Sequence, residues 1–196
     1  VTTTCNAKVD LGFVLDSSGS ITNDYQTEKD FLKAVVGNFG VSQDGSRAGV
    51  ITFSDRVEHS IRLSDYFDVR SFDGAVDAIP LMGSITRIDR ALRLTQAAMF
   101  TERNGGRPGV SKVLIILTDG SQTASSDAED PAMIAAELRN EGIHLIVVGM
   151  GSGINRGELE RIAGDRDHVF TASTFSDLVS DAFLNDVKSQ ACTVVS

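Results

Sequence analysis

Five apolar residues in a row, Val113, Leu114, Ile115, Ile116 and Leu117, stop abruptly at Thr118, Asp119 and Gly120. A run this short, with no polar residue at alternate positions, is a strand buried on both faces, and helices must cover both sides of its sheet. Residues 9–15 (VDLGFVL), 48–53 (AGVITF) and 143–148 (IHLIVV) read the same way, and residues 169–171 add a short strand. The segment 57–63 (VEHSIRL) alternates instead, as an edge strand with one wet face does. Only Ser54, Asp55 and Arg56 separate it from the strand before it, a hairpin spacing that makes it antiparallel.

Between the strands the apolar spacing turns helical. Phe31, Leu32, Val35, Val36 and Phe39 define a helix over 24–39, with Thr22, Asn23 and Asp24 as candidate caps. Further helices are predicted over 71–79, 87–100, 156–163 and 175–189, and over 131–141 between Pro131 and Gly142. Strands alternating with helices predict an α/β fold: a doubly wound, mostly parallel six-stranded sheet with one antiparallel edge strand and helices on both faces.

The 196 residues are read as a single domain spanning 1–196, with its core at about 8–190. A formal charge of -9 and the lack of any Lys/Arg cluster argue against nucleic acid and anionic membranes as partners. No apolar run approaches the roughly 20 residues that span a bilayer. The chain begins with Val-Thr-Thr-Thr, which reads as a mature product or a module of a longer chain. Cys5 and Cys192 stand at opposite ends with no CxxC between them, which suggests a disulfide clasp and an oxidising, extracellular location. In the chain-entropy model such a loop is worth about 5 kcal/mol. Two buried free thiols are the alternative.

Chemistry concentrates where strands end. In doubly wound sheets ligands bind beyond the carboxyl ends of the strands, where the strand order reverses. Asp16-Ser17-Ser18-Gly19-Ser20 follows the first strand and places oxygen side chains on alternate positions. A tight loop of that kind can converge a carboxylate and two hydroxyls on a hard divalent cation, although alone it also reads as an ordinary capped turn. Thr86 opens a helix after a Gly-Ser loop, and Asp119 tips the VLIIL strand.

FVLDSSGSI, the Thr86 segment and LIILTDG together resemble the three metal-site motifs of the von Willebrand factor A domain, the family of the integrin inserted domain. The resemblance covers residues 8–190 and implies a metal-ion-dependent adhesion site. Ser18 and Ser20 would contact the ion directly, Thr86 and Asp119 directly or through water, and Asp16 mainly through water. It implies Mg²⁺ as the cofactor, with Mn²⁺ or Ca²⁺ as alternatives. The partner would be an extracellular matrix protein such as collagen, bound through its Asp or Glu, and the protein would be a secreted adhesion module. A structural or assembly module with metal-independent binding is the second reading. Where family members often carry Gly-Gly-Thr-Asn-Thr-Gly, this chain has Ser84-Ile85-Thr86-Arg87-Ile88-Asp89, which bears on ligand preference.

Enzymatic readings find less support. There is no G-x-S-x-G and no P-loop, and His59, His144 and His168 are assigned structural or solvent roles. An aspartyl phosphotransferase would want a second acid where Ser18 stands. Residues 149–153 (GMGSG) lack the last glycine of a dinucleotide loop and read as a turn, and residues 104–109 as a surface loop.

Overall fold

The computed structural model describes residues 7–195. Six strands, β1 (Val9–Asp16), β2 (Arg47–Phe53), β3 (Val57–Ile61), β4 (Ser111–Thr118), β5 (Ile143–Met150) and β6 (Val169–Ala172), form one sheet in the order β3-β2-β1-β4-β5-β6. Only the β2–β3 pair is antiparallel. From β1 the chain builds outward to β2 on one side and later to β4 on the other, so strand order reverses between β1 and β4. Their carboxyl ends carry Asp16 and Asp119.

Alternation within the strands divides the core in two. Leu11, Phe13 and Leu15 of β1 and Val113, Ile115 and Leu117 of β4 face α1 (Tyr25–Phe39), α2 (Val69–Asp77) and α6 (Asp181–Thr193). Val14, Leu114 and Ile116 face α3 (Ile88–Leu94), α4 (Pro131–Asn140) and α5 (Arg156–Ala163). All eight β1 residues are buried. This is the doubly wound sheet with helices on both faces that the apolar runs predict.

Three local expectations need correction. The helix expected over 87–100 is α3 followed by a wider π turn at Thr95–Met99, where the Thr95 hydroxyl donates to the Ala91 carbonyl. The helix expected over 175–189 is broken at Ser180, whose hydroxyl accepts from Phe183 N–H and starts α6 after a 3-10 turn over Phe175–Val179. Loop 104–109 is not wholly at the surface: Gly105 and Gly106 are buried. A Cβ on Gly106 would lie 2.0 Å from the Phe100 carbonyl oxygen, so only glycine permits that approach. Arg107 in the same loop pairs with the fully buried Asp10 at 2.6 Å, tying the loop to the amino end of β1. Cys192 lies in α6, whereas Cys5 falls outside the described residues, as does the expected clasp geometry. Among the described residues no helix is long and apolar enough to cross a membrane.

Candidate metal centre

Asp16 is fully buried at the end of β1. Its carboxylate accepts from Ser18 N–H at 2.9 Å and from the Thr118 hydroxyl of β4 at 3.0 Å. These bonds fold residues 16–18 into a tight turn that brings the Ser18 and Ser20 hydroxyls within 3.0 Å of each other. Ser18 is buried and Ser20 is exposed.

The loop carrying Thr86 is stitched onto this turn through its backbone. Gly83 N–H donates to Ser17 O at 2.8 Å, Gly19 N–H to Ser84 O at 2.9 Å, and Met82 N–H to the Ser17 hydroxyl at 2.7 Å. The same loop is bonded to the one after β4: Thr123 N–H donates to Thr86 O at 2.9 Å, and Thr86 N–H to the Thr123 hydroxyl at 3.1 Å. Ser20, Thr86 and Asp119 thereby line one cleft of about 460 Å³, with Gly120, Phe175 and residues 150–153. Asp16 and Ser18 are buried and do not line it. All five expected residues are thus placed at one end of the sheet, at the point where strand order reverses.

Two contributors escape sequence reasoning. The turn after β5 is more than a connection, since its residues 150–153 form a wall of the cleft and Gly151 has φ +84°. The apolar-to-glycine switch after β5 was visible, but its partner across the cleft was not. Glu28, in the first turn of α1, is fully buried with neither carboxylate oxygen hydrogen-bonded.

The electrostatics suit a cation. Asp16 and Asp119 repel each other, and neither forms an ion pair with a Lys, Arg or His among the described residues. Burial, less the bonds from Ser18 and Thr118, and with the Asp119 charge adding, pushes the Asp16 carboxyl up to about 6. Two carboxylates and three hydroxyls form an all-oxygen donor set that fits a hard divalent ion. Among the described residues no group of three or more His, Cys, Asp or Glu side chains is placed to hold a metal ion, so a cation here would depend on the hydroxyls as well as on the two acids.

A pH dependence follows for the cation-free protein. In the unfolded chain Asp16 loses its proton near pH ~4, whereas the folded protein keeps it to about 6. Between those values the native state binds more protons, so stability falls as pH rises, by about 3 kcal/mol in all. Glu28, held well above its usual range by burial, acts in the same direction. Asp127, held low by the Ser125 hydroxyl and then by Arg90 and Arg87, and Asp89, held low against its burial by Arg87, contribute in the opposite sense but only below their ordinary titration range. The melting temperature in EDTA is therefore expected to decline from pH ~4.5 to ~7, and the decline to be smaller in saturating Mg²⁺. A steady rise over this range in EDTA contradicts the assignment.

A doubly wound sheet with one antiparallel edge strand thus gathers oxygen side chains at its strand ends in three stitched loops. The von Willebrand factor type A domain model matches residues 10–184, and the chain belongs to that family. Among its relatives is the human collagen alpha-5(VI) chain, 34% identical over 172 residues that make up 87% of this chain and 6% of the collagen. Human von Willebrand factor A domain-containing protein 2 is 30% identical over 171 residues, 87% of this chain and 22% of that protein. The chain therefore spans less than a quarter of either relative. Proximal thread matrix protein 1 from the mussel byssus, solved with a zinc-occupied metal-ion-dependent adhesion motif, superposes with a TM-score of 0.88 at 30% identity, covering 96% of this chain and 49% of that one.

Proposed function

We propose that this domain, taken as a single unit over 1–196, is an extracellular adhesion module. It holds a divalent cation through Asp16, Ser18, Ser20, Thr86 and Asp119, and uses it to grip an acidic side chain of a matrix protein. The observation that carries the reading is the convergence of Ser20, Thr86 and Asp119 on one open cleft, with the buried Asp16 joined to Ser20 through Ser18. The zinc-occupied motif of the mussel matrix protein and the collagen VI relative support it.

The residues divide the work. Asp16, fixed by Ser18 N–H and Thr118, supplies charge from its buried position. Ser18, Ser20 and Thr86 offer neutral oxygens, and Asp119 offers a second charge at the cleft wall. The two carboxylates balance the charge of a divalent ion, and because the other three donors are neutral hydroxyls the ion stays electrophilic toward an incoming Asp or Glu. Mg²⁺ suits this because it retains exchangeable waters, with Mn²⁺ or Ca²⁺ as alternatives. The exposed Ile85, next to Thr86 in sequence, offers an apolar contact for residues flanking that acid. A binding module rather than an enzyme, secreted and clasped by Cys5 and Cys192, completes the proposal.

The test is calorimetric titration with Mg²⁺ and Mn²⁺, followed by binding to triple-helical collagen peptides with and without an acidic residue. Saturable cation binding and EDTA-sensitive capture of only the acidic peptide are expected. Absence of cation binding rejects the reading; cation binding with EDTA-insensitive capture favours the assembly module.

A further inference from the structure

Resting on the cation-binding reading, we propose that Glu28 is a third acid serving the metal centre, acting from the buried first turn of α1 through cation-bound water rather than as a direct ligand. The chain goes from the Asp16–Ser20 loop through a 3-10 turn at Gly19–Ile21 directly into α1, so the first turn of that helix is built against the metal loops. Glu28 stands in that turn, with its side chain 0% exposed. Neither Oε1 nor Oε2 has a hydrogen-bond partner in the protein.

Its neighbours offer no compensation. The adjacent Lys29 is aimed elsewhere, donating to the carbonyls of Asp77 at 3.0 Å and Ile79 at 3.4 Å. The Tyr25 hydroxyl is directed to the Pro80 carbonyl. The charges that act on Glu28 are those of Asp16, Asp119 and, more weakly, Asp24, all of its own sign. An apolar residue at this helix position would pack into the core without any of these penalties.

A buried carboxyl with two unused oxygens, subject to the charges of Asp16 and Asp119 and to no basic group, is a poor structural element and a suitable outer partner for a hydrated cation. Such partners orient coordinated groups and add negative potential without filling a coordination position. Held one layer back, the acid strengthens the hold on the cation while leaving a position open for the partner's carboxylate.

The test compares the parent domain with E28Q, and with E28M as a variant of similar volume in case the amide fails to fold. Mn²⁺ affinity is read by calorimetry, and the melting temperature is read in EDTA. A loss of at least roughly tenfold in Mn²⁺ affinity is expected, the range typical of outer-shell partners, with a cation-free melting temperature that is unchanged or higher. Affinity within twofold of the parent overturns the proposal, as does a loss that comes with a lowered cation-free melting temperature, which marks a packing role. A parent domain that binds no Mn²⁺ instead defeats the cation-binding reading, so the two failures are distinguishable.

Discussion

Asp119→Ala abolishes cation-dependent ligand binding and leaves the fold intact: that is the expected result at the most consequential position of the site. Asp119 is partly exposed at the end of β4, and its carboxylate makes no hydrogen bond or ion pair among the described residues, so folding gains nothing from it. Its charge raises the Asp16 carboxyl, and its removal relieves that repulsion. The cation-free variant is therefore expected to melt at or above the parent temperature. Outer-shell substitutions at metal sites cost roughly 10–100-fold in affinity, and loss of a directly facing carboxylate should cost at least the upper end of that range. The stabilisation that saturating cation confers through linkage should disappear with it. Retained EDTA-sensitive capture of an acidic peptide by D119A would remove Asp119 from the site.

What the sequence discloses of this domain depends on the distance over which a feature acts. β4 and β5 are legible because burial on both faces leaves no polar alternate position, and β3 because one face is wet. The hairpin sense of β3 follows from a three-residue connection. Asp16, Ser18 and Ser20 are legible together because they share one turn, whereas Thr86 and Asp119 stand out only as a helix start and a strand end, and it is resemblance to a family that assigns them to the same site. The break at Ser180 is a local capping event within an unbroken apolar rhythm, which periodicity averages away.

Pairs distant in sequence are the hardest to foresee. Asp10 alternates into an apolar run and looks like an anomaly until Arg107, 97 positions later, is seen to donate to it from its backbone N–H, Nε and Nη2. Glu28 sits on a helix whose spacing predicts only that it faces the core, and its orphaned oxygens are invisible without the fold. Long-range compensation of buried charge, or its absence, is set by topology, which no window of sequence contains.

Arg87 is the second position where a large effect is expected, and it stands where the chain departs from its family's usual metal loop. The guanidinium is 3% exposed and donates to both oxygens of Asp89, from Nε at 2.9 Å and from Nη2 at 2.7 Å. It also reaches Asp127 in the loop after β4 at 3.2 Å. Asp89 is equally buried; burial would raise its carboxyl, but Arg87 and the N–H groups of Glu129 and Arg90 hold it below its ordinary value. Gln122 accepts from Asp89 N–H at 2.7 Å, so the Thr86 and Asp119 loops are locked to each other just behind the cleft. R87M removes the cation but leaves Asp89 buried, a change that costs about 3–5 kcal/mol when one partner of an interior pair is lost. For a domain of this size that corresponds to a melting temperature lower by roughly 10 °C. The double variant R87M/D89L should recover part of the loss, because no unpaired charge is left, but not all of it, because Glu129 N–H loses the carboxylate it donates to at 3.1 Å. Cation affinity should fall in both, since the two loops no longer hold Thr86 and Asp119 in one register. A parent-like melting temperature for R87M would show that the pair is dispensable, and parent-like Mn²⁺ affinity in the folded double variant would show that the cleft does not depend on this lock.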